Sequence, residues 1–178
     1  MYDENVERVL ISKENIEKRT AELAAQITEE YRGKRLIMIC VLTGAMVFFA
    51  DLIRKIDLPI EVDTIVASSY GAGMTTSGSV RISKDIKYDI SGKNVILVED
   101  IIDTGVTLKT LTKMLATRMP ESLKVCSLLD KPSRRKVDFE GDYVGFKIPD
   151  EFVVGYGLDY AEKYRNLPEV CTLKPEKV

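Results

Sequence analysis

The thirteen residues from Val95 to Thr107 constrain this chain more than any other stretch. Val95 to Val98 is an uninterrupted apolar run, with Gly92 before it and acids after, and it reads as a strand buried on both faces. Glu99 and Asp100 follow, then Ile101 and Ile102, a third carboxylate at Asp103, and Thr104-Gly105-Val106-Thr107. From Thr107 onward Leu108, Leu111, Met114 and Leu115 are spaced as on one face of a helix. Strand, acidic turn, small-residue loop and helix in that order form a βα unit, which belongs to a parallel sheet covered by helices.

Each part of the segment suits one chemical task. A loop that runs into a helix presents free backbone N–H groups to an anion. Gly105 allows close approach or a positive φ there, and the hydroxyls of Thr104 and Thr107 add donors. The carboxylates repel that anion and suit sugar hydroxyls, hydrated Mg²⁺ or a proton transfer. A lone acid in a βα loop is usually a solvated charge. Three of them at the C-terminal end of a strand, where open α/β sheets bind ligands, point to a phosphorylated sugar.

Composition narrows the chemistry. The 178-residue chain contains no histidine, which excludes Ser-His and Cys-His nucleophile systems and HExxH metal sites. Proton transfer therefore falls to Asp, Glu, Lys, Tyr or Cys. The three cysteines, Cys40, Cys126 and Cys171, are far apart and lie in apolar surroundings, so they read as reduced core thiols. The net charge of −2 gives no basic surface for nucleic acid. No apolar run is long enough for a membrane span, and the acidic start, Met1 to Asn5, does not resemble a signal peptide. A cytoplasmic protein is expected.

The rest of the chain repeats the alternation of strand and helix. Val6–Ile11 alternates apolar and polar residues. Ser12 is placed as an N-cap for a helix carrying Ile16, Leu23, Ala24 and Ile27 toward Gly33. Leu36–Leu42 is a second buried strand, followed by Thr43-Gly44-Ala45 and a helix from about Met46 to Lys55. A third strand is expected over about Glu61–Ser68. The Gly71-x-Gly73 that follows fails as a dinucleotide fingerprint, because Thr76 stands where a third glycine is needed. Leu123–Leu129 is a further strand leading into Asp130-Lys131-Pro132, and Ser133 to Lys136 reads as a basic surface cluster. A short strand is expected at Tyr143–Phe146. Phe152 to Tyr160, with Gly155 and Gly157, has the composition of an edge strand with a bulge.

The Val95–Thr107 segment resembles the phosphoribosyl-pyrophosphate motif of type I phosphoribosyltransferases, and within that family it is most similar to the hypoxanthine (hypoxanthine-guanine) branch. The resemblance implies an α/β fold: a doubly wound, mainly parallel sheet of about five strands flanked by helices, with a small C-terminal hood. It implies one domain over residues 1–178, with a lid loop at about 69–80 and the hood and purine pocket at about 131–178. The reaction implied is transfer of phosphoribose from 5-phosphoribosyl 1-pyrophosphate to a 6-oxopurine, with Mg²⁺ as cofactor and a homodimer or homotetramer as the assembly.

Roles follow from the same resemblance. Thr104, Gly105, Val106 and Thr107 would cradle the 5′-phosphate. Glu99 and Asp100 would hold the ribose hydroxyls and Mg²⁺, and Asp103 would be general base or acid on the purine's imidazole ring. Neighbouring strand residues point to opposite faces, so Glu99 and Asp100 reach one ribose only if the chain bends between them. Thr43 and Gly44 match a pyrophosphate loop that often contains a non-proline cis peptide. Many relatives carry Lys or Arg at the Thr43 position, so here the contact falls to backbone and hydroxyl donors. Arg165 would grip pyrophosphate. Lys131 would donate to the purine's exocyclic oxygen, Phe152 would stack on the base, and the backbone of Val153 would read the oxo and ring N–H edge. Asp159 would hold a second Mg²⁺ through water, and its backbone could read a 2-amino group. Ser69 and Tyr70 match a lid that closes over the site. Two alternatives stay open: xanthine as the main base, or a non-catalytic regulator that senses phosphoribosyl pyrophosphate.

Overall fold

The computed structural model describes residues 4–69 and 80–174. Six strands form the main sheet in the order β4-β3-β2-β5-β6-β7. They are β2 (Leu36–Leu42), β3 (Ile60–Ser69), β4 (Val80–Lys84), β5 (Asn94–Ile102), β6 (Ser122–Asp130) and β7 (Tyr143–Lys147). All neighbours are parallel except β4, which runs antiparallel along the edge beside β3. Five parallel strands therefore form the core of the sheet, as the resemblance implies.

Both faces of this sheet are covered, which explains its continuous apolar runs. On β2, Leu36, Met38 and Cys40 pack in one cluster with α1 (Lys13–Glu30) and α2 (Met46–Ile53). Ile37, Ile39 and Val41 pack in the opposite cluster with α3 (Val106–Ala116). On β5, Ile96 and Val98 take the first face, and Val95 and Leu97 the second. The alternation breaks across Glu99 and Asp100: Ile101 packs against the first cluster and Ile102 belongs to the second, the reverse of what a two-residue period demands. The strand stays paired with β6 through Ile102↔Asp130. The acids thus lie within β5, where an acidic turn is expected from sequence. The ladder to β6 carries the strand past them, and the side-chain alternation gives way there.

Helix α1 begins as its sequence dictates. Ser12 is extended and its hydroxyl accepts from the Asn15 N–H at 3.3 Å, which caps the helix. Ile16, Leu23, Ala24 and Ile27 form its buried stripe. Helix α3 begins differently, at Gly105 with φ +78, an N-cap with no side chain of its own, and only a long 3.4 Å contact from the Val106 N–H to the Thr104 hydroxyl covers its first turn.

A second sheet has three strands in the order β1-β9-β8, namely β1 (Val6–Ile11), β9 (Val170–Leu173) and β8 (Val153–Val154). This is the hood. It differs from the expected C-terminal hood in that its outer strand is β1, paired antiparallel with β9. No helix among the described residues is long and apolar enough to cross a membrane.

Candidate active site

The C-terminal ends of the parallel strands hold the chemistry. One cleft of about 140 Å³ is lined by Glu99, Asp100, Ile101, Asp103, Thr104, Gly105, Thr107 and Leu108. Three carboxylates and the loop that starts α3 therefore share one opening. Glu99 and Asp100 are both half-buried, and their side chains come within hydrogen-bonding reach of each other. This is the consequence of the broken alternation in β5. Asp100 Oδ1 also accepts from the Ile101 N–H at 2.7 Å.

Burial raises the pKa of both groups. For Glu99 it is the largest cause, followed by the negative charge of Asp100, and the pKa moves well above the usual carboxylate range. For Asp100 burial again dominates, while hydrogen bonds and the charge of Arg165 pull the other way. Two carboxylates this close favour a state in which they share a proton or a cation. Their charges also help burial push the nearby Cys40 thiol up to about 12.

The expected pyrophosphate loop sits directly against this pair. An ideal Cβ on Gly44 would fall 1.8 Å from Asp100 Oδ2. On its other side, a Cβ on Gly157 would meet the Gly44 carbonyl oxygen at 2.1 Å. The Leu42–Thr43 peptide is cis, one bond before Thr43–Gly44. Arg165 donates from Nη1 to the Gly157 carbonyl at 2.8 Å, and its Nη2 pairs with Asp159 at 2.8 Å. Contacts thus run from Asp100 through Gly44 and Gly157 to Arg165 and Asp159. Asp159 Oδ2 in turn accepts from the Glu162 N–H at 2.9 Å.

The end of β6 and the segment beyond it close the other side. Lys131 is buried, and burial lowers its pKa, although Asp103, Asp150 and Glu151 all favour its ammonium form. Asp103 pairs with Arg134 Nε at 3.3 Å, and the same nitrogen is 3.7 Å from Asp150. Arg134 is half exposed, so this pairing is weak and readily exchanged. Phe152 presents an exposed ring, set edge-on against Tyr160 with centroids 5.5 Å apart, while Val153 beside it is buried. Val106 opens α3. Ser69 ends β3, and Tyr70 with the rest of the expected lid lies outside the described residues.

One expectation needs correction. The cluster Ser133 to Lys136 is not all surface: the Arg135 side chain is 15% exposed and pairs with the buried carboxylate of Asp130. It also reaches the carbonyls of Ile102 and Asp103. Charge alone marks such a residue as solvated. Two of its three partners are main-chain oxygens, which no sequence pattern displays. Gly157 is likewise a site residue that spacing did not single out.

A phosphoribosyl transferase domain family matches residues 10–161. The chain belongs to this phosphoribosyltransferase family. It is 50% identical over 176 residues to the hypoxanthine-guanine phosphoribosyltransferase of Streptococcus thermophilus, covering 99% of this chain and 98% of the relative. The Staphylococcus aureus protein of the same name is 49% identical over 172 residues, covering 97% of this chain and 96% of that one. Among solved structures, a hypoxanthine phosphoribosyltransferase from Staphylococcus aureus superposes with a TM-score of 0.94 at 49% identity, covering 97% of this chain and 94% of that one. In this phosphoribosyltransferase the carboxylates and the loop before α3 lie where open α/β sheets bind ligands.

Proposed function

We propose that this phosphoribosyltransferase transfers the phosphoribosyl group of 5-phosphoribosyl 1-pyrophosphate to hypoxanthine and guanine, a purine-salvage step that gives the nucleotide and pyrophosphate. The observation that carries the reading is the single cleft in which Glu99, Asp100 and Asp103 meet the start of α3. Near-full-length identity to hypoxanthine-guanine phosphoribosyltransferases supports the choice of base.

In this reading the whole chain acts as one domain. The backbone from Thr104 through Gly105 and Val106 to Thr107 holds the 5′-phosphate, with the α3 dipole favouring its charge. Glu99 and Asp100 hold the ribose hydroxyls. The same pair fits Mg²⁺, because a cation offsets the repulsion that raises both pKa values. No group of three or more potential metal ligands occurs among the described residues. That suits an ion taking most of its oxygens from substrate and water. When bound, Mg²⁺ supplies charge neutralisation for pyrophosphate.

Asp159, whose two oxygens already accept from Arg165 and the Glu162 N–H, would hold a second ion through water. Thr43, Gly44 and Arg165 grip pyrophosphate, the arginine by its planar fork. The bond from the ribose anomeric carbon to pyrophosphate breaks, and a bond from that carbon to a purine ring nitrogen forms. The purine's imidazole proton passes to Asp103. The half-buried acids stabilise the cationic sugar between these events. Lys131 donates to the exocyclic oxygen and rejects an amino group, which offers it no lone pair. Phe152 stacks on the base, and the main chain of Val153 and Asp159 reads its edge. Ser69 and Tyr70 belong to the lid that excludes water.

The proposed compartment is the cytoplasm, supported by three buried free thiols. The proposed assembly is a homodimer or homotetramer, which sedimentation would distinguish. The reaction itself is tested spectrophotometrically with phosphoribosyl pyrophosphate and Mg²⁺, offering hypoxanthine, guanine, xanthine and adenine in turn. Turnover of hypoxanthine and guanine but not adenine is expected. Turnover of xanthine alone would change the substrate. Binding of phosphoribosyl pyrophosphate with no turnover of any base would make the chain a sensor.

A further inference from the structure

The strap that follows β6 takes up three consecutive carbonyl oxygens, from the last residue of β5 into the loop proposed to hold the anion. The Lys131 N–H donates to the Ile102 carbonyl at 2.9 Å, and the Lys136 N–H donates to the Thr104 carbonyl at 3.0 Å. Between them, Arg135 Nη1 donates to the Ile102 carbonyl at 3.1 Å and to the Asp103 carbonyl at 2.5 Å. Arg135 Nη2 pairs with the Asp130 carboxylate, which is buried at the end of β6. The Arg135 stem fills the space left by Gly105, where an ideal Cβ would lie 2.9 Å from Cδ.

Peptide geometry turns these contacts into an orientation. In a planar trans peptide the C=O and the following N–H point in opposite directions. Carbonyls of Ile102, Asp103 and Thr104 drawn toward the strap send the N–H groups of Asp103, Thr104 and Gly105 away from it. Without those contacts the peptide units of this short loop would be free to rotate, and an anion would have to order them on binding.

We infer that Arg135 is a positioning residue for phosphate: its fork fixes the loop carbonyls from behind and so aims the loop N–H groups at the ligand. The inference rests on the reading of Thr104 to Thr107 as the phosphate cradle. It requires arginine rather than any cation. A planar guanidinium reaches one carboxylate and two carbonyls at once, whereas a lysine ammonium on a flexible stem does not reproduce that geometry. The strap that begins at Lys131, on the purine side, ends on the phosphate loop, so one piece of chain sets both contacts.

The test compares inosine 5′-monophosphate with inosine, which differ only in the phosphate, by calorimetry or competition on the full chain. Arg135→Lys should weaken the nucleotide by about tenfold or more and leave the nucleoside unchanged, collapsing the ratio of the two affinities. Methylguanidinium added to Arg135→Ala should restore part of that ratio. Asp130→Asn, which removes the anchor while keeping the arginine, should lower the ratio less, and it serves as the test if the arginine variants do not fold. Thr107→Val probes the cradle itself. A lower ratio in Thr107→Val with an unchanged ratio in Arg135→Lys overturns the role of Arg135 alone. An unchanged ratio in Thr107→Val, Arg135→Lys and Asp130→Asn overturns the cradle reading with it. Equal weakening of nucleotide and nucleoside in Arg135→Lys assigns the residue a purely structural role and also overturns the inference.

Discussion

The carboxylate of Asp100 occupies the space in which Gly44 has no side chain, so the carboxylate pair and the adjoining loop have been packed as one unit. Gly44→Ala forces the Asp100 side chain to swing away, because its oxygen lies only 1.8 Å from the new methyl position. The obstacle is the tip of a side chain, so the fold should survive while the site does not. Turnover should fall by about tenfold to a hundredfold with little change in Tm. Gly157→Ala meets main chain instead, the Gly44 carbonyl, and must hold φ near +103. It should cost on the order of 1–3 kcal/mol of stability, seen as a lower Tm. Equal thermal shifts in the two variants would contradict this distinction.

Glu99 links the pair to pH. Its pKa is raised, first by burial and then by Asp100, so the folded protein without ligand retains a proton that the unfolded chain releases. The native state gains from that proton at pH values below the ordinary carboxylate pKa. The gain is lost as pH rises toward the raised value. Glu99→Gln should therefore flatten this decline and raise the Tm near neutral pH, by roughly 2–4 °C for each kcal/mol of stability recovered. Binding of Mg²⁺ and phosphoribosyl pyrophosphate should release a proton, which calorimetry in buffers of different ionisation enthalpy counts. A pair that binds the ion with no proton release at any pH in that window would already carry both charges.

In the proposed mechanism Asp103 carries the proton transfer and Lys131 the recognition of the base. Asp103→Asn keeps the shape but removes the proton acceptor, and turnover should drop by about a hundredfold or more while the nucleotide still binds. Lys131→Ala should raise the KM for hypoxanthine by about tenfold to a hundredfold and leave that for phosphoribosyl pyrophosphate nearly unchanged. A rise in both would show that Lys131 does not act on the base alone.

The cysteines offer a probe of integrity. Cys40, Cys126 and Cys171 are free and buried. Burial pushes the thiol of Cys40 up to about 12 and that of Cys171 to about 11, and raises Cys126 as well. Thiolate is the reactive form, so the native protein should resist alkylation at neutral pH and react at all three sites in denaturant. Rapid modification of the native protein would reveal local opening around the reacting cysteine.

Much of the sheet was legible because buried parallel strands leave a distinctive record. Leu36–Leu42 reads as one apolar run and forms β2 over those residues, and the Ser12 cap marks the start of α1. The gathering of Glu99, Asp100 and Asp103 beside the start of α3 was legible too, since strand, loop and helix are contiguous. What escaped depends on distant partners. The passage of β5 through Glu99 and Asp100 is imposed by β6, and the place of β1 in the hood is imposed by β9. Arg135 escaped because two of its partners are main-chain carbonyls and the third, Asp130, is a carboxylate whose burial the sequence does not display. Its neighbour Arg134 is largely exposed, yet it still reaches Asp103.

The hood has a consequence for the order of assembly. β8 pairs with β9, and β9 pairs with β1, so the segment proposed to read the purine takes shape by joining the two ends of the described chain. The proposed phosphate loop, by contrast, lies between β5 and α3, neighbours in sequence. Contacts between distant residues form late in folding, and the N-terminal part of a chain leaves the ribosome first. On the proposed reading, the two halves of the site should mature at different times. A nascent chain that stops short of β9 would then have the parts to grip a phosphate before it has the means to judge a base.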